Sequence, residues 1–398
     1  MIFPYKKIKN TQDSVSLSII ACTLIAIDYF SNLLINIMNI PNIRITLATM
    51  FVGLSLNSKH LRGTTYRQSK TLVDYRIAIA SKTIFVMLFY SFIRPLIRDA
   101  NQYNIIDSLF LLYLPYYVDF AEYRGDRRIV MPSLFHEITY KVFQIIGNYQ
   151  IINDGLPLDN NDDKRYILGL HPHGLFPFGS IGCLTQPHDM ETIRRTMPIL
   201  LSRRLNSGIA SFALYMPFIR EIFLWLGAID CSRPILKQRL RDGHSIAVFI
   251  GGAQEAQYSG RGSTTLIINK RNGIFRLALE TGSKLVPVYT FGNNNIYRSY
   301  SLDFFGIFNL VKVITGMWFP RGYFEIRKHR FTTIVGKPVE INDIINIKDE
   351  DEDEDQDQDI TDDMVAVLKI RYIESLTELF NRYKYLDVDI KDLTLKIV

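Results

Sequence analysis

Two histidines that follow a strand-like run are the most reactive feature of this 398-residue chain. The mostly apolar residues 166–170 lead directly into a turn in which His171 and His173 flank a proline and precede Gly174. Histidine transfers protons near neutral pH, and ligands of open α/β sheets bind beyond the carboxyl ends of the strands. We therefore expect a catalytic turn in which an imidazole acts on a proton. The alternative is that both histidines only cap a turn.

A carboxylate follows the end of a second strand-like run. Residues 246–250 lead into Gly251 and Gly252, and Glu255 comes three residues later. A glutamate in this place could orient an imidazole, bind a hydroxyl or act as an acid. It could equally be a first-turn residue of a helix, where a negative charge is favourable. The residues alone leave these roles open.

Basic side chains surround a short helical pattern between residues 269 and 300. Bases near the start of a helix can hold phosphate groups, although a solvated basic face has the same composition. The candidates for phosphate binding in this block are Arg271, Arg276 and Lys284.

Strand-like and helical patterns alternate from about residue 166 onwards. Short apolar runs predict strands at 166–170, 246–250, 285–291 and 332–335. Helical periodicity is found at 190–206, 217–226, 234–241, 273–280 and 364–385. Alternation of this kind predicts an α/β layered fold.

Long apolar stretches lie near the amino terminus. Residues 15–40 are long enough to enter a bilayer, and together with 43–56 they predict a membrane hairpin over 15–56. Basic residues flank this hairpin on both sides, which places both of its ends in the cytosol. A second apolar pair over 77–118 contains charges, so it is consistent with a second hairpin and equally with amphipathic or core helices.

The charge of the chain is unevenly distributed. Its 46 Lys and Arg residues outnumber its 40 Asp and Glu residues, and eleven of those acids lie in the run 349–363, which is typical of a solvated loop. The rest of the chain is strongly basic and predicts an anionic partner: a phosphorylated cofactor, an acidic lipid surface or nucleic acid. With 47% hydrophobic residues the chain is too apolar for disorder. Three widely spaced cysteines favour a reducing compartment.

The three blocks, in this order, resemble the type-2 diacylglycerol acyltransferase family, which also includes monoacylglycerol and wax-alcohol acyltransferases. Residues 171–174 match its His-Pro-His-Gly hallmark without change. Further similarity is found in 216–234, in the Gly-Gly-Ala-x-Glu block of 249–256, in the Arg-x-Gly and Leu-Val-Pro blocks of 271–297 and in the strands of 318–341. Two departures, Ile274 for Phe and Asn293 for Glu, concern the choice of acceptor more than catalysis.

The resemblance implies a mixed sheet flanked by helices, as in glycerolipid acyltransferases, and acyl transfer from acyl-CoA to a lipid hydroxyl. His173 is then expected to be the general base, with Glu255 holding its imidazole in the correct tautomer. His171 is expected to orient the turn or to contact the thioester oxygen. Backbone N–H groups near Gly174 or the Gly251–Gly252 pair would stabilise the oxyanion.

The same resemblance implies which ligands the chain would bind. Acyl-CoA is a co-substrate, and its phosphates would contact Arg271, Arg276 and Lys284, with Arg321 as a weaker candidate. Neither a metal nor a further cofactor is expected. The expected acceptor is diacylglycerol, and monoacylglycerol and a long-chain alcohol are the alternatives.

The resemblance also implies an organisation in two parts. Residues 1–130 would anchor the chain in a membrane, and residues 131–398 would form a cytosol-facing acyltransferase domain that carries the acidic loop 349–363. The expected location is the endoplasmic reticulum membrane or a lipid droplet. Whether the chain forms a homo-oligomer is left open.

Two interpretations from other functional classes stay open. In a metal-dependent hydrolase, His171 and His173 would share a metal with His188 or Glu255, but the proline between them and the lack of a histidine–aspartate cluster argue against this. A catalytically inactive lipid-binding protein could keep the same fold, although both histidines and Glu255 are present. Nucleic-acid binding is disfavoured because the basic body has no aromatic–basic platform and no known motif.

Overall fold

The computed structural model describes parts of the chain from residue 82 onwards. The described residues are 82, 113, 117, 119–125, 127, 141–143, 145, 147–156, 165–174, 177–179, 204–211, 213–215, 217–299, 324–326, 328–345 and 360–398. The chain divides into two compact units, Met1–Asp119 and Phe120–Val398.

The first unit contains the two apolar regions for which membrane hairpins are predicted. The hairpin at 15–56 lies outside the described residues, and so does the region 77–118 except for Lys82, Tyr113 and Tyr117. The Lys82 ammonium lies 5.7 Å from the centroid of the Tyr117 ring. Among the described residues, no helix has the length and apolar character needed to cross a bilayer.

The second unit alternates strands and helices along the chain. Its described strands are β1 (Tyr149–Asn153), β2 (Tyr166–His171), β3 (Leu205–Ile209), β4 (Ala228–Asp230), β5 (Ser245–Phe249), β6 (Thr265–Leu266), β7 (Lys284–Phe291), β8 (Tyr297–Ser299), β9 (Phe324–Ile326), β10 (Phe331–Val335) and β11 (Lys396–Ile397). Its described helices are α1 (Ala121–Arg124), α2 (Ile219–Trp225), α3 (Arg233–Arg241), α4 (Asn272–Thr281), α5 (Asn342–Ile345) and α6 (Asp362–Tyr383). Short 3₁₀ turns cover Ala213–Tyr215, Gly252–Tyr258, Asn293–Asn295 and Lys384–Leu386.

Seven of these strands form one mixed sheet in the order β1–β10–β7–β2–β5–β3–β4. The five strands from β7 to β4 are parallel to one another, whereas β10 is antiparallel to β7 and β1 is parallel to β10. The strands β6 and β11, and β8 and β9, form two separate pairs. Because the five parallel strands run in one direction, the turns after β2 and β5 lie at the same edge of the sheet.

The mixed sheet flanked by helices confirms the predicted α/β fold. The four predicted strands are present as β2, β5, β7 and β10, within one residue at each end. The sequence pattern does not predict β3 and β4, and its helix over 190–206 overlaps the start of β3. The reason is that β3 reads Leu-Asn-Ser-Gly-Ile, without a β-branched run. Its conformation comes from the sheet, where the buried Asn206 amide donates to the carbonyls of Gly125 and Gly227.

The two faces of the sheet are covered by different apolar clusters. Residues alternate along β2, so Tyr166, Leu168 and Leu170 pack on one face and Ile167 packs on the other. The larger cluster lies on the Ile167 face and includes side chains of α3, α4 and α6. His171 lies on this face as well, because it is an even number of residues from Ile167.

The acidic run ends inside a helix. The helix α6 begins at Asp362, and the Thr361 hydroxyl caps it by accepting a hydrogen bond from the Met364 N–H at 3.3 Å. The predicted loop 349–363 is therefore too long at its carboxyl end, because acids in the first turn of a helix are stabilised by its dipole. Residues 349–359 lie outside the described residues.

Candidate active site

Two turns meet at the carboxyl edge of the sheet. Since β2 and β5 are parallel neighbours, the turn after His171 and the turn after Phe249 lie side by side. Gly174 in the first turn has a left-handed φ of 67°, which glycine adopts without strain. The structure brings His171, His173 and Glu255 together at this edge, as the hydrogen bonds below show.

The His173 imidazole is held through one ring nitrogen. Its Nδ1 lies 2.8 Å from the Gly174 carbonyl oxygen, and its ring centroid lies 4.6 Å from that of Phe249. A carbonyl oxygen can only accept, so Nδ1 carries the proton and Nε2 carries the free electron pair. Within the described part of the chain, Nε2 makes no hydrogen bond. His173 is therefore set in the tautomer that a general base requires.

The protonation state of His173 fits the same role. Burial lowers the pKa of His173 below its ordinary value of 6.5, and the hydrogen bond to Gly174 opposes this shift in part. The imidazole is consequently neutral near pH 7 and able to accept a proton at Nε2.

Glu255 is buried, with 2% of its surface exposed. Its carboxylate binds backbone N–H groups rather than an imidazole. Its Oε1 accepts the His173 N–H at 2.7 Å, and its Oε2 accepts the Ile267 N–H at 3.2 Å. The prediction that Glu255 fixes the tautomer of His173 is therefore wrong, because the carbonyl of Gly174 does so. Glu255 fixes the position of the turn instead.

The environment of Glu255 shifts its titration towards neutrality. Burial raises the pKa of Glu255 to about 7, while the hydrogen bonds from His173 and Ile267 and the charge of Arg271 oppose the shift. A Cβ atom on Gly251 would lie 1.9 Å from Oε2, so the carboxyl can sit here only because this residue is glycine. The second predicted turn thus contributes a buried acid and the space that it needs.

Arg271 forms hydrogen bonds with two residues of this turn. Its Nη2 donates to the Gly251 carbonyl and to the Gln254 Oε1, both at 2.8 Å, while its Nε is buried and lacks a partner within the described ranges. Gly252 has a left-handed φ of 63°, and a Cβ there would lie 3.9 Å from Nη2. Of the predicted phosphate-binding cations, Arg271 lies beside the site.

His171 is bound to a residue that the sequence does not single out. His171 is 1% exposed, and its Nε2 lies 2.9 Å from the hydroxyl of Tyr372 in α6. That hydroxyl also donates to the Gly169 carbonyl at 3.3 Å, so it accepts from a proton on Nε2. The Nδ1 of His171 then carries an electron pair and is buried, and no described residue forms a hydrogen bond with it. Burial lowers the pKa of His171 to about 3, which keeps this imidazole neutral.

The signal that could have found Tyr372 is a glycine in the middle of β2. A Cβ on Gly169 would lie 2.1 Å from the Tyr372 hydroxyl oxygen. An isolated glycine within a strand often marks a close approach by another group. The pattern does not say which group, because Tyr372 is 201 residues from His171 along the chain.

Residues 101–397 match the model of the diacylglycerol acyltransferase family, which is most of the chain. The chain belongs to this family. The match includes both turns of the site, the helix α6 and the sheet that joins them. The predicted family is confirmed.

Three relatives show the range of names within the family. Diacylglycerol O-acyltransferase 2B of Umbelopsis ramanniana is 28% identical over 300 residues, covering 70% of this chain and 80% of that protein. Acyl-CoA wax alcohol acyltransferase 2 of Mus musculus is 29% identical over 243 residues, covering 57% and 68%. 2-Acylglycerol O-acyltransferase 1 of Mus musculus is 26% identical over 304 residues, covering 70% and 83%. Their names specify three different acceptors.

Two of the predicted phosphate-binding residues of this family member lie away from the histidines. Arg276 bonds to the Ile360 carbonyl and pairs with Asp362 at the start of α6. Lys284 pairs with Glu340 at 2.6 Å.

The register of the sheet shows how far Lys284 is from the site. Lys284 faces Tyr166 at the start of β2, whereas His171 at its end faces Tyr289. The five steps between them correspond to about 17 Å along the strand.

Two further candidates, Arg321 and His188, lie outside the described residues. Among the residues that the structure does describe, no three His, Cys, Asp or Glu side chains are grouped as a metal site.

Proposed function

We propose that the chain transfers an acyl group from acyl-CoA to the hydroxyl of diacylglycerol, with His173 as the general base. Membership in the diacylglycerol acyltransferase family supports the reaction class. The observation that carries the proposal is the held tautomer of His173, with Nδ1 bonded to the Gly174 carbonyl and the electron pair of Nε2 directed away from that bond. A positioned base of this kind contributes a factor of roughly 10²–10⁴ to the rate.

The reaction needs one proton to move twice. Nε2 of His173 takes the proton of the acceptor hydroxyl as its oxygen attacks the thioester carbonyl. The tetrahedral intermediate then expels the sulfur of CoA, which receives that proton, so the imidazole returns to its neutral state. Glu255 supports both steps by fixing the backbone of His173, and Tyr372 fixes the neighbouring His171.

Acyl-CoA serves as a co-substrate, and the proposal requires no further cofactor and no metal. Arg271 is the candidate for a phosphate contact because its guanidinium lies at the turn beside Glu255 and is half-buried. Arg321 remains a candidate on the basis of the sequence. Monoacylglycerol and a long-chain alcohol are the alternative acceptors, since relatives carry both names.

The proposed place of action is the endoplasmic reticulum membrane or a lipid droplet, with the site on the cytosolic side. The helix α2 supports contact with a lipid surface because its charged side chains are buried and several of its apolar side chains are exposed. The Arg220 side chain is fully buried and pairs with Glu122 at 2.7 Å and with Glu221 at 2.6 Å. The charged side chains of α2 therefore do not lie on its outer side.

Four apolar side chains occupy that outer side. Phe218 is 56% exposed, and the exposed fractions of the other three are between one third and one half; they are Ile219, Ile222 and Trp225. An exposed apolar group next to buried, paired charges is favourable where the outer medium is itself apolar.

The experiment that tests the proposed function measures ester formation directly. Membranes that contain the protein receive radiolabelled oleoyl-CoA with diacylglycerol, monoacylglycerol or hexadecanol in parallel, with and without EDTA. We expect labelled triacylglycerol, unaffected by the chelator. Labelled ester from another acceptor alone would correct the substrate, and no ester from any acceptor would contradict the proposed function.

A further inference from the structure

A small polar pocket adjoins the histidine turn. Its volume is about 10 Å³, which is room for about one water-sized group, and its walls include Pro172 together with the 3₁₀ turn Asn293–Asn295 and Asp387. Pro172 joins the two histidines, and another wall residue, Tyr289, faces His171 across the β2–β7 ladder. The pocket therefore lies beside the turn that carries both histidines.

One wall of the pocket offers a hydrogen-bond donor. Asn293 is 1% exposed, and its Oδ1 accepts the Gly179 N–H at 3.1 Å. This bond fixes the orientation of the amide, so the NH₂ group must be at the other position. Nδ2 is buried and has no hydrogen-bond partner in the described part of the chain.

The next-but-one residue offers an acceptor. Asn295 is 7% exposed, and its Nδ2 donates to Asp387 Oδ1 at 2.9 Å. Asp387 is itself fully engaged, since Oδ1 also accepts the Asp389 N–H and Oδ2 accepts the Gly292 N–H, both at 3.0 Å. The remaining atom, Asn295 Oδ1, is buried and has no partner among the residues that the structure describes.

Two buried polar atoms on one turn that lack a partner in the described structure are costly unless a ligand or a water molecule satisfies them. An NH₂ donor suits an ester carbonyl, and a donor beside an acceptor suits a hydroxyl. An acylglycerol carries such oxygens on the other carbons of its glycerol backbone. A long-chain alcohol carries none.

We propose that this pocket binds a second oxygen of an acylglycerol backbone, with Asn293 Nδ2 donating to it, and that it selects acylglycerols over simple alcohols. The inference rests on the proposed function and names its acceptor class. The ester carbonyl of diacylglycerol needs Asn293 alone, whereas the free second hydroxyl of monoacylglycerol would also use Asn295 Oδ1.

The variant that tests this is Asn293→Asp. A carboxylate has the shape of the amide and still accepts from the Gly179 N–H, but it removes both N–H donors. We expect the KM for dioctanoylglycerol to rise about tenfold, on the scale of one lost hydrogen bond in a buried site, with the KM for oleoyl-CoA unchanged. If hexadecanol is also a substrate, its KM should not change.

A matched control makes the same substitution at another buried asparagine. Asn206 in β3 is fully buried, and its amide donates to backbone carbonyls away from the pocket. Asn206→Asp should reduce the amount of folded enzyme while leaving both KM values as they are. An equal rise in the KM for dioctanoylglycerol in both variants would contradict the proposal.

A binding measurement covers the case in which Asn293→Asp does not fold. Dioctanoylglycerol should raise the melting temperature of the unaltered protein, and hexadecanol at the same concentration should not. Equal shifts, or none with dioctanoylglycerol, would overturn the pocket assignment and show that water alone satisfies the two amides. The proposed function would still stand if the unaltered protein forms triacylglycerol.

Discussion

Each imidazole of the His-Pro-His-Gly turn is fixed through one nitrogen, but the partners differ. The Gly174 carbonyl binds Nδ1 of His173 and leaves Nε2 available, whereas Tyr372 binds Nε2 of His171 inside the core. The turn backbone is in turn held by Glu255. One imidazole therefore keeps a ring nitrogen available, and the other is bound inside the core at the strand end.

Glu255→Gln tests the buried acid. Since an amide presents one oxygen, either the His173 N–H or the Ile267 N–H would face an NH₂ group. We expect turnover to fall about tenfold or more, on the scale of an unsatisfied buried group, with the KM for acyl-CoA little changed. Unchanged turnover would contradict the role of Glu255 in positioning the His173 turn.

The raised pKa of Glu255 predicts that the stability of the protein depends on pH. The pKa of Glu255 is about 7 in the fold, above its ordinary 4.5, so between these values the folded state keeps a proton that the unfolded state releases. Stability therefore falls as pH rises through this window, by up to about 3 kcal/mol, and the penalty persists above it. The melting temperature of the wild type should drop relative to Glu255→Gln between pH 5 and 7.5. Parallel curves would contradict the buried-acid assignment.

Tyr372→Phe tests the support of His171. The change leaves the Nε2–H of His171 without a partner in the core, which costs about 1–3 kcal/mol. We expect a lower kcat and a lower melting temperature, with the KM for acyl-CoA retained. Tyr383→Phe is the matched control on the same helix, because its hydroxyl bonds to Asp154 instead. Equal loss of kcat in both variants would mean that Tyr372 acts only through stability.

At the scale of elements, the helix α6 joins the acidic run to the active site. It begins at the Thr361 cap and carries Tyr372 to His171 two to three turns further on. Its first residue, Asp362, pairs with Arg276 of α4. The ion pair explains why Arg276, predicted to bind a phosphate, is held away from the histidines.

Two deletions separate the acidic run from the helix that follows it. Removing 349–359 should leave activity and melting temperature close to those of the wild type, since that segment precedes the cap. Removing 349–363 also removes the cap and the partners of Arg276, which should cost about 1–2 kcal/mol from the cap alone. Loss of activity in the shorter deletion, measured by triacylglycerol formation, would assign the acidic run a regulatory role.

At the scale of the molecule, the sequence predicts the family, the mixed sheet and the edge that carries the site. Local periodicity is enough for β2, β5, β7 and β10, because each is a buried apolar run. It fails where long-range pairing decides, as in β3 and in the contact between Tyr372 and His171. Closeness along the sequence also suggests that Arg271, Arg276 and Lys284 bind one ligand. In the fold, Lys284 lies at the end of the strands opposite to the site.

The proposed lipid contact of the outer side of α2 can be tested on the whole chain. Trp225 lies on that side, and replacing the other tryptophan by Trp318→Phe makes it the reporter. In reconstituted vesicles, brominated lipids should quench Trp225 fluorescence and acrylamide in the aqueous phase should quench it weakly. The reverse pattern would contradict membrane contact by α2.

In the proposed mechanism, His173 accepts the proton of the acceptor hydroxyl. The most direct measurement compares triacylglycerol formation by the wild type and by His173→Ala, at equal amounts of folded, membrane-bound protein. We expect His173→Ala to lose at least about 10²-fold in kcat while it still binds acyl-CoA. Transfer by His173→Ala at a rate near that of the wild type would contradict it.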